Sequence, residues 1–391
     1  MLQRTASLKR LHRRTKCNEA CNFFIFVNFV TFHIANTPVF RETSRCKRFL
    51  LSGVAKQIMA TIKDVAKLAG VSVATVSRVI NNSPKARGAT RESVLNAMEQ
   101  LQYHPNANAR ALARQTTGTI GLIVSDVSDP FFGTMVKATE QVASDSGNFL
   151  LIGNGYHDEH KERQAIEQLI RHQCAALVVH AKAMSDEELR GLMSHIPGMV
   201  LINRILPGLE PRCIALDDRY GSHLATQYLI QQGHRNIGII CSDHKISDAE
   251  DRLQGYLDAL KEHNITINTK RIAYAPPDES GGEKALIELL ERNQQITAVV
   301  CYNDTMAAGA LSVLSDNNIK VPEHISLIGF DDVLIARYLR PGLTTIRYPV
   351  VSMAKQAAEL ALSLSQGKPL ADITNLFHPT LVKRHSVAPL L

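Results

Sequence analysis

Apolar residues recur along this chain with two different periods, and the change between them near residue 118 divides it. In TIKDVAKLAGVSVATVSRVINN (residues 61–82), Ile62, Val65, Ala66 and Ala69 fall at helical spacing and predict a short amphipathic helix. Thr61 precedes it as a cap, with Asp64 in the positively polarised first turn. Gly70 marks a sharp turn, because glycine alone takes left-handed dihedrals without a Cβ penalty. Ser72 then caps a second helix whose inward face is Val76, Val79 and Ile80, which leaves Ala74, Ser77 and Arg78 pointing outward. A third helix, capped by Thr90 and running from about Arg91 to Leu101, offers Val94, Leu95, Met98 and Leu101 to the first two. Pro105 stops it, and Asn106 caps an Ala-rich segment, NANARALA. Eight residues are too few to stay helical alone in water. On spacing alone an interdomain linker is the simpler reading of that segment.

From residue 119 onward short β-branched runs alternate with amphipathic stretches. The runs are TIGLIV (119–124), NFLLIG (148–153), AALVVH (175–180), GMVLI (198–202) and CIAL (213–216), then NIGII (236–240), RIAYA (271–275), TAVVC (297–301) and ISLIGF (325–330). Helical stretches lie near 131–146, 159–172, 185–194, 219–232, 248–263, 281–293 and 304–317. Such βα alternation predicts doubly wound parallel sheets, and two sets of strands predict two lobes. Small ligands bind such sheets at the carboxyl ends of strands, here in a cleft that hinge motion can close.

Charge sharpens that division. Residues 1–58 sum to +9, residues 59–115 to +5 and the remainder to −7, within a total of +7. A small basic module ahead of a mildly acidic body suits a polyanion-binding head on a regulatory body. Residues 1–58 stand apart, with 7 of the 12 phenylalanines and almost no acid. Basic residues before an apolar run resemble a secretory signal, but Asn28, Thr31 and His33 break that run. The reading adopted is that translation starts at Met59, with a disordered basic arm as the alternative. No run approaches the ~20 apolar residues needed to span a bilayer. The seven cysteines show no zinc-site spacing, and Cys174, Cys213, Cys241 and Cys301 are expected as reduced thiols in a cytoplasmic protein.

The candidate chemistry sits at strand ends: Asp126, Asp129, Phe131 and Phe132 after the first strand, Asn203 and Arg204 after GMVLI, Asn303 and Asp304 after TAVVC, Asp331 and Asp332 after ISLIGF, and Arg252 at a helix start. Carboxylates, amides and a guanidinium beside aromatic rings are what a pyranose needs for its hydroxyls and its C–H face. For any one of them a helix cap is the competing reading, since Asp and Asn at βα loops commonly do no more. No nucleophile–base constellation, phosphate-cradling Gly loop or paired catalytic carboxylates emerge, so neither an enzyme nor a metal or cofactor is expected.

The stretch at 61–82, followed by YHPNANARALA, resembles the headpiece and hinge of the lactose/galactose repressor family. The likeness runs from Met59 to Ala388. It implies a helix-turn-helix headpiece over 59–104, a hinge over 105–118, and a two-lobed, periplasmic-binding-protein-like α/β body over 119–391. It places Thr61, Ser72, Val73, Ala74, Ser77, Arg78 and Asn81 at a major groove. Asn106, Ala109 and Leu112 would belong to a hinge helix that forms on operator DNA, with Leu112 as a minor-groove wedge. Arg252, Asn303 and Asp331 would hold sugar hydroxyls, and Ser125, Phe131, Phe132, Asn203 and Tyr348 would line the rest of the pocket. D-galactose, or D-fucose, is the implied inducer of a homodimeric repressor. No C-terminal leucine heptad is visible to build a tetramer. Two alternatives stay open: a co-repressor type in which ligand tightens DNA binding, and a sugar-binding protein with no DNA role.

Overall fold

The computed structural model describes residues 60–80, 88–103, 118–292, 295–370 and 373–390. The proposed start at Met59, Asn81 and the hinge with Asn106, Ala109 and Leu112 lie outside the described residues. The chain divides into two compact units, residues 1–105 and 106–391.

In the first unit, α1 (Ile62–Leu68), α2 (Val73–Ile80) and α3 (Gly88–Gln100) enclose a small core. Thr61 and Asp64 form a reciprocal capping box: the Thr61 N–H donates to Asp64 Oδ2 at 2.8 Å and the Asp64 N–H to Thr61 Oγ1 at 3.4 Å. Gly70 has φ +66°, the left-handed turn expected of it. Ser72 accepts from the Thr75 N–H at 3.2 Å and so caps α2. Val65, Val76 and Val94, one from each helix, are fully buried where the three meet. The third helix departs from expectation twice. It begins at Gly88, which puts Thr90 inside it rather than at its cap. Leu95 is 50% exposed, and Ala97 takes the expected inward place at 3%. The inward stripe therefore runs Val94, Ala97, Met98, Leu101, at i, i+3, i+4 and i+7, and Leu95 falls one residue off its phase.

The second unit holds two six-stranded sheets. The first runs β11–β5–β4–β3–β1–β2, from β1 (Thr119–Val124), β2 (Phe149–Asn154), β3 (Ala176–Val179), β4 (Met199–Ile202), β5 (Cys213–Leu216) and β11 (Leu376–Phe377). The second runs β12–β10–β9–β8–β6–β7, from β6 (Ile237–Ser242), β7 (Ile272–Ala275), β8 (Ala298–Cys301), β9 (Ser326–Asp331), β10 (Thr344–Arg347) and β12 (Thr380–Val382). Every pairing is parallel except that of β10 with β12. The expected strands are all present, with ends shifted by a residue or two. Helices α4 (Pro130–Asp145), α5 (Glu159–Arg171) and α6 (Asp186–His195) follow strands of the first sheet. Helices α7 (Asp218–Gln231), α8 (Ser247–Glu262), α9 (Glu279–Arg292), α10 (Asp304–Asp316) and the short α11 (Leu334–Tyr338) belong to the second lobe.

The last fifty residues do not stay with the second lobe. After β10, helix α12 (Val350–Ser365) packs on α4, β3 and β4 of the first lobe; β11 then joins β5, and β12 returns to β10. The chain thus passes between lobes three times: between β5 and α7, between β10 and α12, and between β11 and β12. Three crossings of this kind let two lobes rotate without separating. Within the second lobe, α7 and α8 touch backbone to backbone. A Cβ on Gly255 would lie 2.0 Å from the Arg219 carbonyl oxygen, so only glycine permits this approach. That contact fixes the face of α8 that carries Arg252. Among the described residues no helix is long and apolar enough to cross a membrane.

Candidate functional site

In the first unit, Thr61, Ser72, Val73, Ala74 and Arg78 are exposed and Ser77 is half-buried. They lie opposite Val76 and Val79, whose burial fixes the rotation of α2. Val73 and Ala74 keep the side chains of the first turn of α2 small, and Arg78 lies one turn on from Ala74 on the same exposed face.

In the second unit, a pocket lined by residues of both lobes opens between them. Its centre is Arg252, 6% exposed. The guanidinium donates through Nε to Asp218 Oδ1 at 2.8 Å and through Nη1 to the Tyr302 carbonyl at 2.7 Å. Its Nη2 stands 3.6 Å from Asp331 Oδ1, and its carbon lies 3.7 Å from the Phe330 ring centroid. Burial pushes the Asp331 carboxyl up to about 7 and Asp218 up to about 6, with the arginine opposing both. Asp331 has φ +104°, and Asn203, at the end of β4, has φ +63°. Both are strained positions that aim a polar side chain into the cleft. Asn203 Oδ1 accepts from the Tyr348 hydroxyl at 2.6 Å, and Tyr348 stands in the second crossing.

Rings line one side in series. Tyr348 meets Phe131 edge-on at 4.9 Å, Phe131 meets Phe132 at 5.1 Å, and Phe132 meets His180 at 4.9 Å. His157 follows at 5.5 Å from His180, and His244 at 5.1 Å from His157. Burial pushes His157 down to about 4 and His180 well below its ordinary value, so both rings are uncharged. An ion pair spans the cleft: Lys182 Nζ of the first lobe lies 3.0 Å from Asp248 Oδ1 of the second. The Tyr302 hydroxyl donates to Asp248 Oδ2 at 2.9 Å. Burial raises the Asp248 carboxyl, but Lys182 and then Arg252 outweigh it and hold the group below the usual range. The Lys182 loop is itself fixed. Glu162 accepts from the N–H groups of Lys182, Ala183 and Met184, and Arg204 donates to the carbonyls of Ala181 and Met184.

Seven of the eight expected ligand residues thus converge on one pocket, while Ser125 lies in an adjoining outer vestibule. Two of the polar ones serve as caps as well. Asn303 Oδ1 accepts from the Met306 N–H at 2.7 Å at the start of α10, and Asp129, which also lines the pocket, accepts from the Phe131 N–H at 2.8 Å at the start of α4. For Arg252, Asp331 and Asn203 the cap reading fails, since none caps a helix and all face the cavity. The sequence reading passed over His157, His180, Lys182, Asp218, His244, Asp248 and Tyr302. Most of these also follow strands, and the strand-end rule applied evenly would have found them.

Residues 61–106 match the bacterial regulatory proteins of the lacI family, and residues 226–387 match a periplasmic binding protein-like domain. The chain is 71% identical over 330 residues to the HTH-type transcriptional regulator GalR of Escherichia coli K12, covering 84% of this chain and 96% of that one. The chain belongs to the lacI family. The transcriptional regulator GalS of Salmonella typhimurium LT2 is 55% identical over 84% of this chain and 97% of its own. A crystal structure of the lac repressor dimer bound to operator and an anti-inducer superposes with a TM-score of 0.75. It covers 84% of this chain and 99% of that chain at 24% identity, which speaks to the fold alone. The relatives are transcription regulators rather than enzymes. The resemblance read from 61–82 and the α/β fold assignment are both sustained.

Proposed function

We propose that this DNA-binding repressor of the lacI family controls genes of galactose use and is released from its operator when D-galactose, or a close relative such as D-fucose, fills the interlobe pocket. The observation that carries the reading is Arg252, buried between Asp218 and Asp331 and facing Asn303 and Asn203 across a ring-lined cavity. Buried groups of both signs beside stacked rings suit an uncharged polyhydroxylated ring, whose hydroxyls donate to carboxylates and accept from guanidinium and amide. The 71% identity to a regulator named GalR supports galactose in particular.

The working unit is a cytoplasmic homodimer, since one headpiece reads half an operator. Thr61, Ser72, Val73, Ala74, Ser77, Arg78 and Asn81 face the major groove, and Asn106, Ala109 and Leu112 form the hinge on DNA. Residues 1–58 precede the working start at Met59. Sugar acts only through its different affinity for the two lobe arrangements, and a coupling of about 1–3 kcal/mol is typical. Fluorescence titration of operator DNA with full-length protein, with and without galactose, tests the scheme. Weaker operator binding in galactose supports it, tighter binding reverses its sign to the co-repressor type, and no effect of any monosaccharide removes it.

A further inference from the structure

The pocket around Arg252 is not the end of the cleft. Outside it lies a vestibule lined by Ser125, Asp126, Ser128, Tyr156, Asp278 and Glu279, an acidic and polar approach. His157 and His244 border both spaces. They come from opposite lobes, His157 from the loop after β2 and His244 from the loop after β6, and their ring centroids are 5.1 Å apart. The Nδ1 atoms of both are buried without a hydrogen-bond partner. So is that of His180, the next ring inward. A buried polar atom without a partner is costly, and these three belong to rings that line one pocket, so hydrogen-bonding capacity is left unused at its wall. A neutral imidazole carries one donor and one acceptor nitrogen, so it meets a hydroxyl in either sense.

We propose that His157 and His244 form a two-lobed gate at the pocket mouth, hydrogen-bond the one ligand hydroxyl that faces outward, and set which substituents that position admits. The inference rests on the sugar reading of the pocket and adds to it a specificity that the inner residues do not supply. With the rings in contact, a substituent on the outward hydroxyl collides with the gate; with one ring removed, it extends into the vestibule. The remaining hydroxyls are left to Arg252, Asn303 and Asn203, which line the inner part of the same pocket.

The test is calorimetric binding of D-galactose and its mono-O-methyl ethers, one for each hydroxyl, to the full-length protein and to His157→Ser and His244→Ser. Wild type is expected to bind every ether at least roughly tenfold more weakly than galactose, the size of one lost and unreplaced hydrogen bond. In each variant galactose itself weakens by a similar factor, while the penalty for one ether, the same one in both, falls severalfold and the others keep theirs. A residue that merely supports the fold would shift galactose and all ethers together. Unchanged penalties at every position, or different rescued positions in the two variants, overturn the gate while leaving the sugar site standing. Failure of wild type to bind galactose at all overturns the sugar reading instead, and the gate with it. The variants sit on separate lobes, so misfolding of one leaves the other to decide.

Discussion

Replacing Arg252 with alanine is the perturbation whose size the structure fixes best. The guanidinium is in contact with two buried carboxyl groups, Asp218 at 2.8 Å and Asp331 at 3.6 Å, and packs against the face of Phe330. Removing one member of such a buried set costs about 3–5 kcal/mol, most of it from the charge left behind. Here the carboxyls can escape part of that cost by taking up protons, because they stand at about 6 and about 7 even with the arginine present. The lower end, ~3 kcal/mol, is therefore expected near neutrality, a shift of roughly 6–10 °C in the melting temperature of a body this large. The loss has a pH signature. A carboxyl whose folded value is raised contributes stability that is fully present below its ordinary value and is lost as pH rises through the folded one. In wild type that loss ends near 7 for Asp331. Without the arginine the folded values rise further, so the deficit of the variant grows from pH 6 to pH 8. Calorimetric unfolding of the full chain at those two pH values measures it, and galactose titration of the same variant should show no binding while operator affinity is retained. A deficit independent of pH would mean that Arg252 does not hold these carboxyls, and normal galactose binding would mean that the pocket lies elsewhere.

Arg78→Ala should cost about 1–3 kcal/mol of operator binding and relax base preference at one position, measured by titration of operator and of single-base variants; equal loss on random DNA contradicts a base-reading role. Lys182→Met removes the cation of the cross-cleft pair with Asp248, 3.0 Å apart and nearly buried, and should weaken galactose binding tenfold or more by calorimetry, an order of magnitude set by breaking a buried pair; an unchanged Kd would show that the pair does not serve the closed cleft. Acidification should open the cleft, since His157 is depressed to about 4 in this lobe arrangement against about 6.5 when free. The stability of closure is then present above about 6.5 and lost as pH falls toward 4, worth about 3 kcal/mol in all; a radius of gyration constant over that range by X-ray scattering contradicts this. Gly255→Ala, with its Cβ 2.0 Å from the Arg219 oxygen, should push α8 from α7, destabilise the body by about 1–3 kcal/mol or more in urea titration and displace Arg252; wild-type stability would show that the helices yield at no cost.

The sequence announced the elements that carry their own periodicity and concealed those defined by partners. TIGLIV and CIAL are strands with the bounds read from the chain, because a buried parallel strand is a continuous β-branched run. Thr61 and Gly70 are equally legible, each having a local job that few residues can do. Leu95 misled because one residue of phase error turns a helix face by about 100°. The return of the chain to the first lobe left no local mark. β11 is two residues long and β12 three, so only the strands beside them define them. The helix that makes the return, VVSMAKQAAELALSLS, looks like any amphipathic crossover. In the pocket, Arg252 and Asp331 were visible through motif resemblance, whereas Lys182 and His157 acquire meaning only once two lobes face each other. Lys182 is paired with a residue 66 positions away in sequence.

The placement of the crossings explains why occupancy of this pocket can be felt by whole lobes. Asp218, the direct partner of Arg252, is the first residue after the first crossing, and Tyr348 lies within the second. Tyr348 donates to Asn203 of the first lobe while its backbone N–H bonds the Asp331 carbonyl of the second at 3.2 Å. A ligand that competes for Asn203 or Asp331 therefore acts on the connecting strand itself as well as on the lobe walls. Sites that touch only walls can close a cleft by bridging it. A site built into the hinge also changes the torsions about which the lobes turn, and those torsions are few, so small displacements there give large ones at the lobe ends. Tyr348→Phe separates the two routes. It leaves the ring and its contact with Phe131 in place, removes the hydroxyl, and leaves Asn203 Oδ1 without that donor, a loss of about 1–3 kcal/mol. If the hinge route operates, galactose binding survives in this variant but its effect on operator affinity shrinks. If both fall by the same factor, bridging of the walls alone accounts for closure, and the crossing is a tether rather than a lever.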